Sequence, residues 1–194
     1  TIAGLSSSVQ VGLSAASGSA SDSVRAVVSD WTFTRLLGAP QVTQSGLLGT
    51  YFASTNLTGP VVARVDETVN FDWALKSPHP QLAADNYSVR WEGQVIPKFS
   101  ERYTFYTQSD DGVRLWVNGV QLVNNWTVHA LTENSGGIVL QAGVPAEIKL
   151  EFYEGTQSAA CKLLWSSPSQ VKQVVPAAAL RPVFKAVPLG AGAT

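Results

Sequence analysis

The pattern of apolar and polar positions along this chain is that of short strands. Tyr103, Phe105 and Thr107 alternate with polar neighbours, as do Val113, Leu115 and Val117, and Tyr87, Val89 and Trp91 alternate with Ser88, Arg90 and Glu92. A period of two places successive side chains on opposite faces of a pleated strand, so each run predicts a strand with one face in a core. Further runs predict strands at 47–53, 61–64, 69–73, 138–140, 148–152 and 161–165. Asn118-Gly119, flanked by Trp116, Val117, Val120 and Leu122, predicts a hairpin, because both central residues of a type I′ turn take positive φ. Residues 77–85 carry two prolines and little periodicity and read as an ordered surface loop. No stretch keeps a helical period over three turns; residues 177–180 predict a single helical turn. The expected class is all-β, an antiparallel β-sandwich or barrel of jelly-roll type.

The same pattern divides the chain. Val9, Val11 and Leu13 alternate, residues 14–23 are small and polar, and alternation resumes through Val28, Trp31 and Phe33. Residues 1–40 thus predict an extra N-terminal pair of strands. A lone pair is too little to fold by itself, so it is expected to end an upstream sandwich or to act as an assembly element, pairing with a neighbouring domain or subunit through residues 1–36. The main module is expected at 46–182, and residues 183–194, rich in Pro, Gly and Ala, at the end as a linker.

Composition narrows the function. A chain of 194 residues with 45% hydrophobic content can bury a core of its own. With 14% charged residues and a net charge of −1, it has no basic field to gather nucleic acid, so a nucleic-acid partner is not expected. Neither a long apolar run nor a charged-plus-apolar leader is present, so no membrane insertion is expected, and any secretion signal would lie upstream or have been removed. Cys161 alternates with Leu163 and Trp165 and reads as a small core hydrophobe. Low charge with abundant Ser, Thr, Gly and Trp points to an extracellular or cell-surface setting.

Catalysis finds no support. His79 and His129 are the two histidines, neither with a nucleophile or metal-ligand partner at a motif spacing, and the carboxylates are scattered without an evident pair. The chain is therefore read as no enzyme, a reading compatible with an accessory role in a larger glycoside hydrolase. Binding chemistry has two candidates. Asp110 and Asp111 are adjacent carboxylates between two strands, which either hold a cation that offsets their repulsion or belong to an Asp-Gly turn. Trp126, within a polar segment running from Asn124 to His129, either presents an indole face beside amides to a sugar or folds back over the end of the barrel.

The runs GLLGTYF (46–52), FDW (71–73), NYSVRWEG (86–93), YTFYTQSDDGVRLWVNG (103–119), NNW (124–126), IKLEFYEG (148–155) and LLWSSPSQ (163–170) occur in an order that resembles a known family. This is the lectin-like module named for the fourteen-kilodalton fragment of anthrax protective antigen, also found in yeast flocculins and epithelial adhesins and inserted in bacterial glycoside hydrolases. The resemblance implies a β-sandwich with a carbohydrate site at one end. It implies that Asp110 and Asp111 are joined by a cis peptide and coordinate Ca²⁺, which takes two sugar hydroxyls in turn. The loop that supplies an Asn and backbone carbonyls in flocculin-type members corresponds to residues 154–160, which hold no Asn; Gln157 is the candidate for the missing amide oxygen, and Glu154 an alternative. The metal set expected is Asp110, Asp111 and Gln157, and the carbohydrate set Asp110, Asp111, Trp126 and His129. The function expected is a non-catalytic, calcium-dependent module that binds glycan or polysaccharide on an extracellular or cell-surface bacterial protein. The rival is a structural or assembly module with a stabilising ion or no ligand.

Overall fold

The computed structural model describes residues 44–184. The strands expected before residue 40 and most of the expected linker after residue 182 lie outside the described residues. The chain forms β1 (Leu47–Phe52), β2 (Pro60–Asp66), β3 (Asn70–Ala74), β4 (Tyr87–Val95), β5 (Glu101–Asp110) and β6 (Val113–Val117). It continues through β7 (Val120–Asn125), β8 (Thr132–Leu140), β9 (Ala146–Glu154), β10 (Ala159–Ser167), β11 (Gln170–Val174), one 3₁₀ turn (Ala177–Ala179) and β12 (Leu180–Pro182). Among the described residues no helix is long and apolar enough to cross a membrane.

The strands make two antiparallel sheets. A seven-stranded sheet has the order β2-β1-β4-β9-β6-β7, with β12 continuing alongside β4 past the end of β1; a five-stranded sheet has the order β11-β10-β5-β8, with β3 on the other half of the β10 edge. The all-β sandwich expected from the periodicity is what forms. Asn118 and Gly119 close the β6–β7 hairpin at φ 48° and 75°, the two positive values this turn requires.

Three features depart from the sequence reading. β5 runs on through Gln108 and Ser109 to Asp110, where a turn was expected, and β6 lies in the other sheet. Asp111 and Gly112 therefore carry the chain across the sandwich and do not close a hairpin. β8 begins at Thr132, ahead of the expected 138, because its first half is polar and carries Gly136 and Gly137, which mask the alternation. Gly136 is required there: a Cβ would lie 2.4 Å from the Leu122 carbonyl oxygen of β7. β11 escaped notice because its central residues are all exposed, as an edge strand allows.

The inward positions build an aromatic core. Trp91, Phe105 and Phe152 are fully buried and Trp165 nearly so. Phe71 stacks on Trp73 at 4.8 Å and on Trp91 at 5.9 Å, and Trp73 meets Phe152 at 5.7 Å, which ties β3 of one sheet to β4 and β9 of the other. Cys161 is free and buried, and burial pushes its thiol well up.

One polar knot interrupts this core. Asp66 is buried, and its Oδ2 accepts hydrogen bonds from Tyr51 Oη and Trp91 Nε1, each at 2.7 Å, while Arg64 Nε donates to Oδ1 at 2.7 Å. Gly49 leaves room for it, since a Cβ there would sit 2.6 Å from Asp66 Oδ2. Removing one partner of such a network orphans the others, which costs far more than the net value of the bonds. Asp66→Ala is expected to lower unfolding free energy by about 3 kcal/mol in urea titrations, and Asp66→Asn by less because it keeps the shared acceptor oxygen.

Candidate functional site

The interior changes character along β5. Its inward residues run Tyr103, Phe105, Thr107 and Ser109, all buried, so the core passes from aromatic to polar as the strand nears Asp110. β9 does the same and ends on Glu154, fully buried opposite Tyr87 of β4. The hydroxyls of Thr107, Ser109 and Tyr87 and both carboxyl oxygens of Glu154 have no hydrogen-bond partner among the described residues. Buried polar groups are normally paired, so this concentration at one pole marks a place built for something besides packing.

Asp110 and Asp111 sit at that pole, joined by a cis peptide bond. Their environments differ. Asp111 is buried, and its carboxylate accepts the backbone N–H of His129 at Oδ1 and of Gly155 at Oδ2, both at 3.0 Å. It thereby fastens the β7–β8 loop and the β9–β10 loop to the crossing between sheets. Asp110 is partly open to solvent. Burial, then the Asp111 charge, pushes its carboxyl above the ordinary range, with His129 and the Leu131 backbone N–H opposing.

Glu154 carries the strongest signature. Burial first, then the charges of Asp111, Asp110 and Asp85, push its carboxyl up to about 8, and the Asp111 amide offsets this in part without making a well-formed hydrogen bond. Asp85 joins the group through the adjacent loop, where its Oδ1 accepts the Gln157 backbone N–H at 3.2 Å. The Asn86 N–H donates to the Gly155 carbonyl at 2.9 Å, closing the same two loops together. Among the described residues no three carboxylate, imidazole or thiol groups converge as a ready metal centre. What the pole does gather is four carboxyl groups, Asp85, Asp110, Asp111 and Glu154, close enough to act on one another electrostatically.

The other expected residues take these places. Gln157 stands at φ 85° in the exposed loop and is tied to the site through its backbone. His129 is half-buried; its Nδ1 lies 2.9 Å from the Ala130 carbonyl and its buried Nε2 has no partner. Trp126 is half-buried: its ring packs on Tyr153 at 4.7 Å, and the Arg114 guanidinium lies 3.9 Å over its face. Arg114 is held in turn by Glu151 at 2.7 Å, and Arg90 grips the same carboxylate at 2.8 Å from the other side. Tyr153 reaches back to the crossing, where Gly112 leaves space for its ring; a Cβ on Gly112 would lie 2.1 Å from Tyr153 Cε1.

Sequence reasoning missed Asp85, Tyr153, Arg114 and Gly155. Gly155 directly after Glu154 was a visible signal of close backbone approach, and a Cβ there would sit 3.2 Å from Asp111 Oδ2. The other three carry no local mark, because their roles arise from strands distant in sequence.

Comparison with known proteins agrees with this architecture. The PA14 domain family matches residues 43–178. The chain belongs to the PA14 domain family. Among curated proteins this PA14 domain is 45% identical over 140 residues to the anti-sigma-I factor RsgI3 of Acetivibrio thermocellus, covering 72% of this chain and 22% of that protein. The chain thus spans about a fifth of that relative's length. A solved anti-sigma factor domain-containing protein is 42% identical with a TM-score of 0.73, over 75% of this chain and 50% of that one. The A domain of epithelial adhesin 6 from Candida glabrata, solved in complex with Galb1-3GlcNAc, shares the fold at 14% identity and a TM-score of 0.61, over 73% of this chain and 88% of that one.

The elevated Glu154 carboxyl makes metal-free stability depend on pH with a definite sign. In the unfolded chain this group titrates near its ordinary 4.5 and in the fold near 8, so the native state holds the extra proton between those values. The contribution of this group to stability is therefore full below about 4.5 and is lost as pH rises towards 8. Melting temperatures in chelator across pH 4.5–8 are expected to fall, and Glu154→Gln to flatten the upper part of that fall.

Proposed function

We propose that this PA14 domain is a non-catalytic glycan-binding module whose grip depends on Ca²⁺, carried on an extracellular or cell-surface protein. The observation that carries the reading is the buried, partnerless Glu154 carboxyl beside the Asp110-Asp111 pair. An all-oxygen, strongly anionic donor set suits a hard cation, and Ca²⁺ takes six to eight such oxygens in flexible geometry. Asp110 and Asp111 would hold it, with Gln157 or the carbonyls of its loop supplying neutral oxygens and the Glu154 carboxyl adding to the negative field around them. The ion, when bound, supplies open positions for neighbouring sugar hydroxyls.

The chain's own residues do the rest. Asp111 keeps two loops in place through its hydrogen bonds to His129 and Gly155, and Glu154, whose carboxyl holds its proton up to about pH 8, would add negative charge to the site on losing it. The unit of Trp126, Arg114 and Tyr153, with His129, forms the rim on one side. Sharing a fold with an adhesin domain crystallised with a disaccharide supports a sugar as the ligand, and likeness to part of an anti-sigma factor adds a regulatory protein to the hosts in which such a module would serve.

The test is a thermal melt with Ca²⁺ and with chelator, on the parent and on Asp110→Asn. Asp110 is the right position because Asp111→Ala would orphan two backbone N–H groups and destabilise the fold for a different reason. Ca²⁺ at about a hundred times its dissociation constant should add roughly 2.7 kcal/mol to the parent and little to the variant, and glycan-array binding should disappear in chelator. A parent melt that ignores Ca²⁺ would remove the ion from the reading; array binding that survives chelator would remove its role in sugar capture.

A further inference from the structure

The β9–β10 loop borders the carboxylate pole through Gly155, and its residues 156–158 are exposed. Gln157 stands there at φ 85°, a left-handed conformation that a residue with a Cβ rarely adopts unless a contact holds it. That contact comes from a different loop.

Among the described residues three contacts fix this loop, and two of them come from one dipeptide. Asp111 Oδ2 takes the Gly155 N–H at 3.0 Å. The Asn86 N–H donates to the Gly155 carbonyl at 2.9 Å, and Asp85 Oδ1 accepts the Gln157 N–H at 3.2 Å. Asp85 and Asn86 end the loop that leads from β3 into β4, and Asn86 stands at φ 58°, which Asn tolerates better than most residues. The side chain of one residue and the backbone of the next thus grip the β9–β10 loop at two points. The Asp85 bond is directional. The Thr156–Gln157 peptide is trans, so its carbonyl points away from its N–H, and an acceptor that fixes the one fixes the other. Gly155 is already held at both its N–H and its carbonyl, so the Thr156 carbonyl is the one whose direction rests on Asp85.

We propose that Asp85 is a positioning residue of the glycan site: by holding the Gln157 N–H it keeps the β9–β10 loop in the conformation from which the loop's oxygens serve the cation. The inference rests on the Ca²⁺ reading above and adds what sets the neutral part of the ligand set. The two things a carboxylate offers at this position are separable. Asn keeps an acceptor oxygen and loses the charge, whereas Ala loses both. A role through the hydrogen bond survives the first substitution and not the second; a role through charge survives neither.

The experiment uses the full 194-residue chain and titrates Ca²⁺ by calorimetry into the metal-free parent, Asp85→Asn and Asp85→Ala. It is run at about 1 M NaCl, where the Debye length is about 3 Å and a charge lost from a partly exposed position counts for little. Asp85→Asn should bind within about threefold of the parent and Asp85→Ala about tenfold more weakly, the worth of one hydrogen bond. In chelator, with no ion present, the Gln157 amide should shift its resonance and exchange its hydrogen faster in Asp85→Ala, while Asp85→Asn stays close to the parent. Both variants should keep the parent's melting temperature in chelator within a few degrees, because Asp85 is partly exposed and lies outside the core. Equal Ca²⁺ affinity in the parent and Asp85→Ala overturns the proposal, as does an Asp85→Asn that binds as weakly as Asp85→Ala, or a Gln157 amide that the alanine leaves unmoved. A parent that takes up no Ca²⁺ removes the underlying reading and this proposal with it, so the parent titration tells the two failures apart.

Discussion

Everything at the carboxylate pole depends on one buried carboxylate that accepts two backbone N–H groups. Asp111 leaves the end of β5, crosses between the sheets, and takes its hydrogen bonds from His129 and Gly155, which belong to two different loops. Charged acceptors make the stronger hydrogen bonds, and here both oxygens are used. The consequence is a division of labour between adjacent residues of the same type. Asp111 ties down the two loops, and Asp110, partly open and with its carboxyl held above the ordinary range, is the more accessible of the pair.

That arrangement concentrates electrostatic tension. Asp85, Asp110, Asp111 and Glu154 influence one another, and Glu154 has no hydrogen-bond partner for either oxygen. A fold can carry such a group only because the rest of the sandwich is well paid in burial and stacking, from the Phe71 and Trp73 contacts between sheets to the Asp66 knot. The outer face adds its own order: Glu151, between Arg90 and Arg114, fixes the guanidinium that covers Trp126, so the rim aromatic is positioned from a strand two partners away.

The periodicity of two, the Asn-Gly turn and the inward aromatics were enough to read an antiparallel sandwich and most of its strands, because a half-buried strand writes its geometry locally in alternate residues. The Asp110-Asp111 pair was legible as a candidate for the same reason: two adjacent carboxylates are visible wherever they fall. Strands that carry no alternation, such as the polar first half of β8 and the exposed edge β11, left no such trace.

What the tertiary structure alone decided is which groups meet. The sequence by itself determined the fold class, the core aromatics and the carboxylate pair. It did not determine that β5 and β6 belong to different sheets, that Glu154 is buried beside residues more than forty positions earlier, that Arg114 covers Trp126, or that Asp85 holds the Gln157 N–H. The physical reason is that strand pairing brings together residues far apart in the chain, and both the burial of a charge and the holding of a loop are set by those neighbours and not by the residue's own position in the pattern.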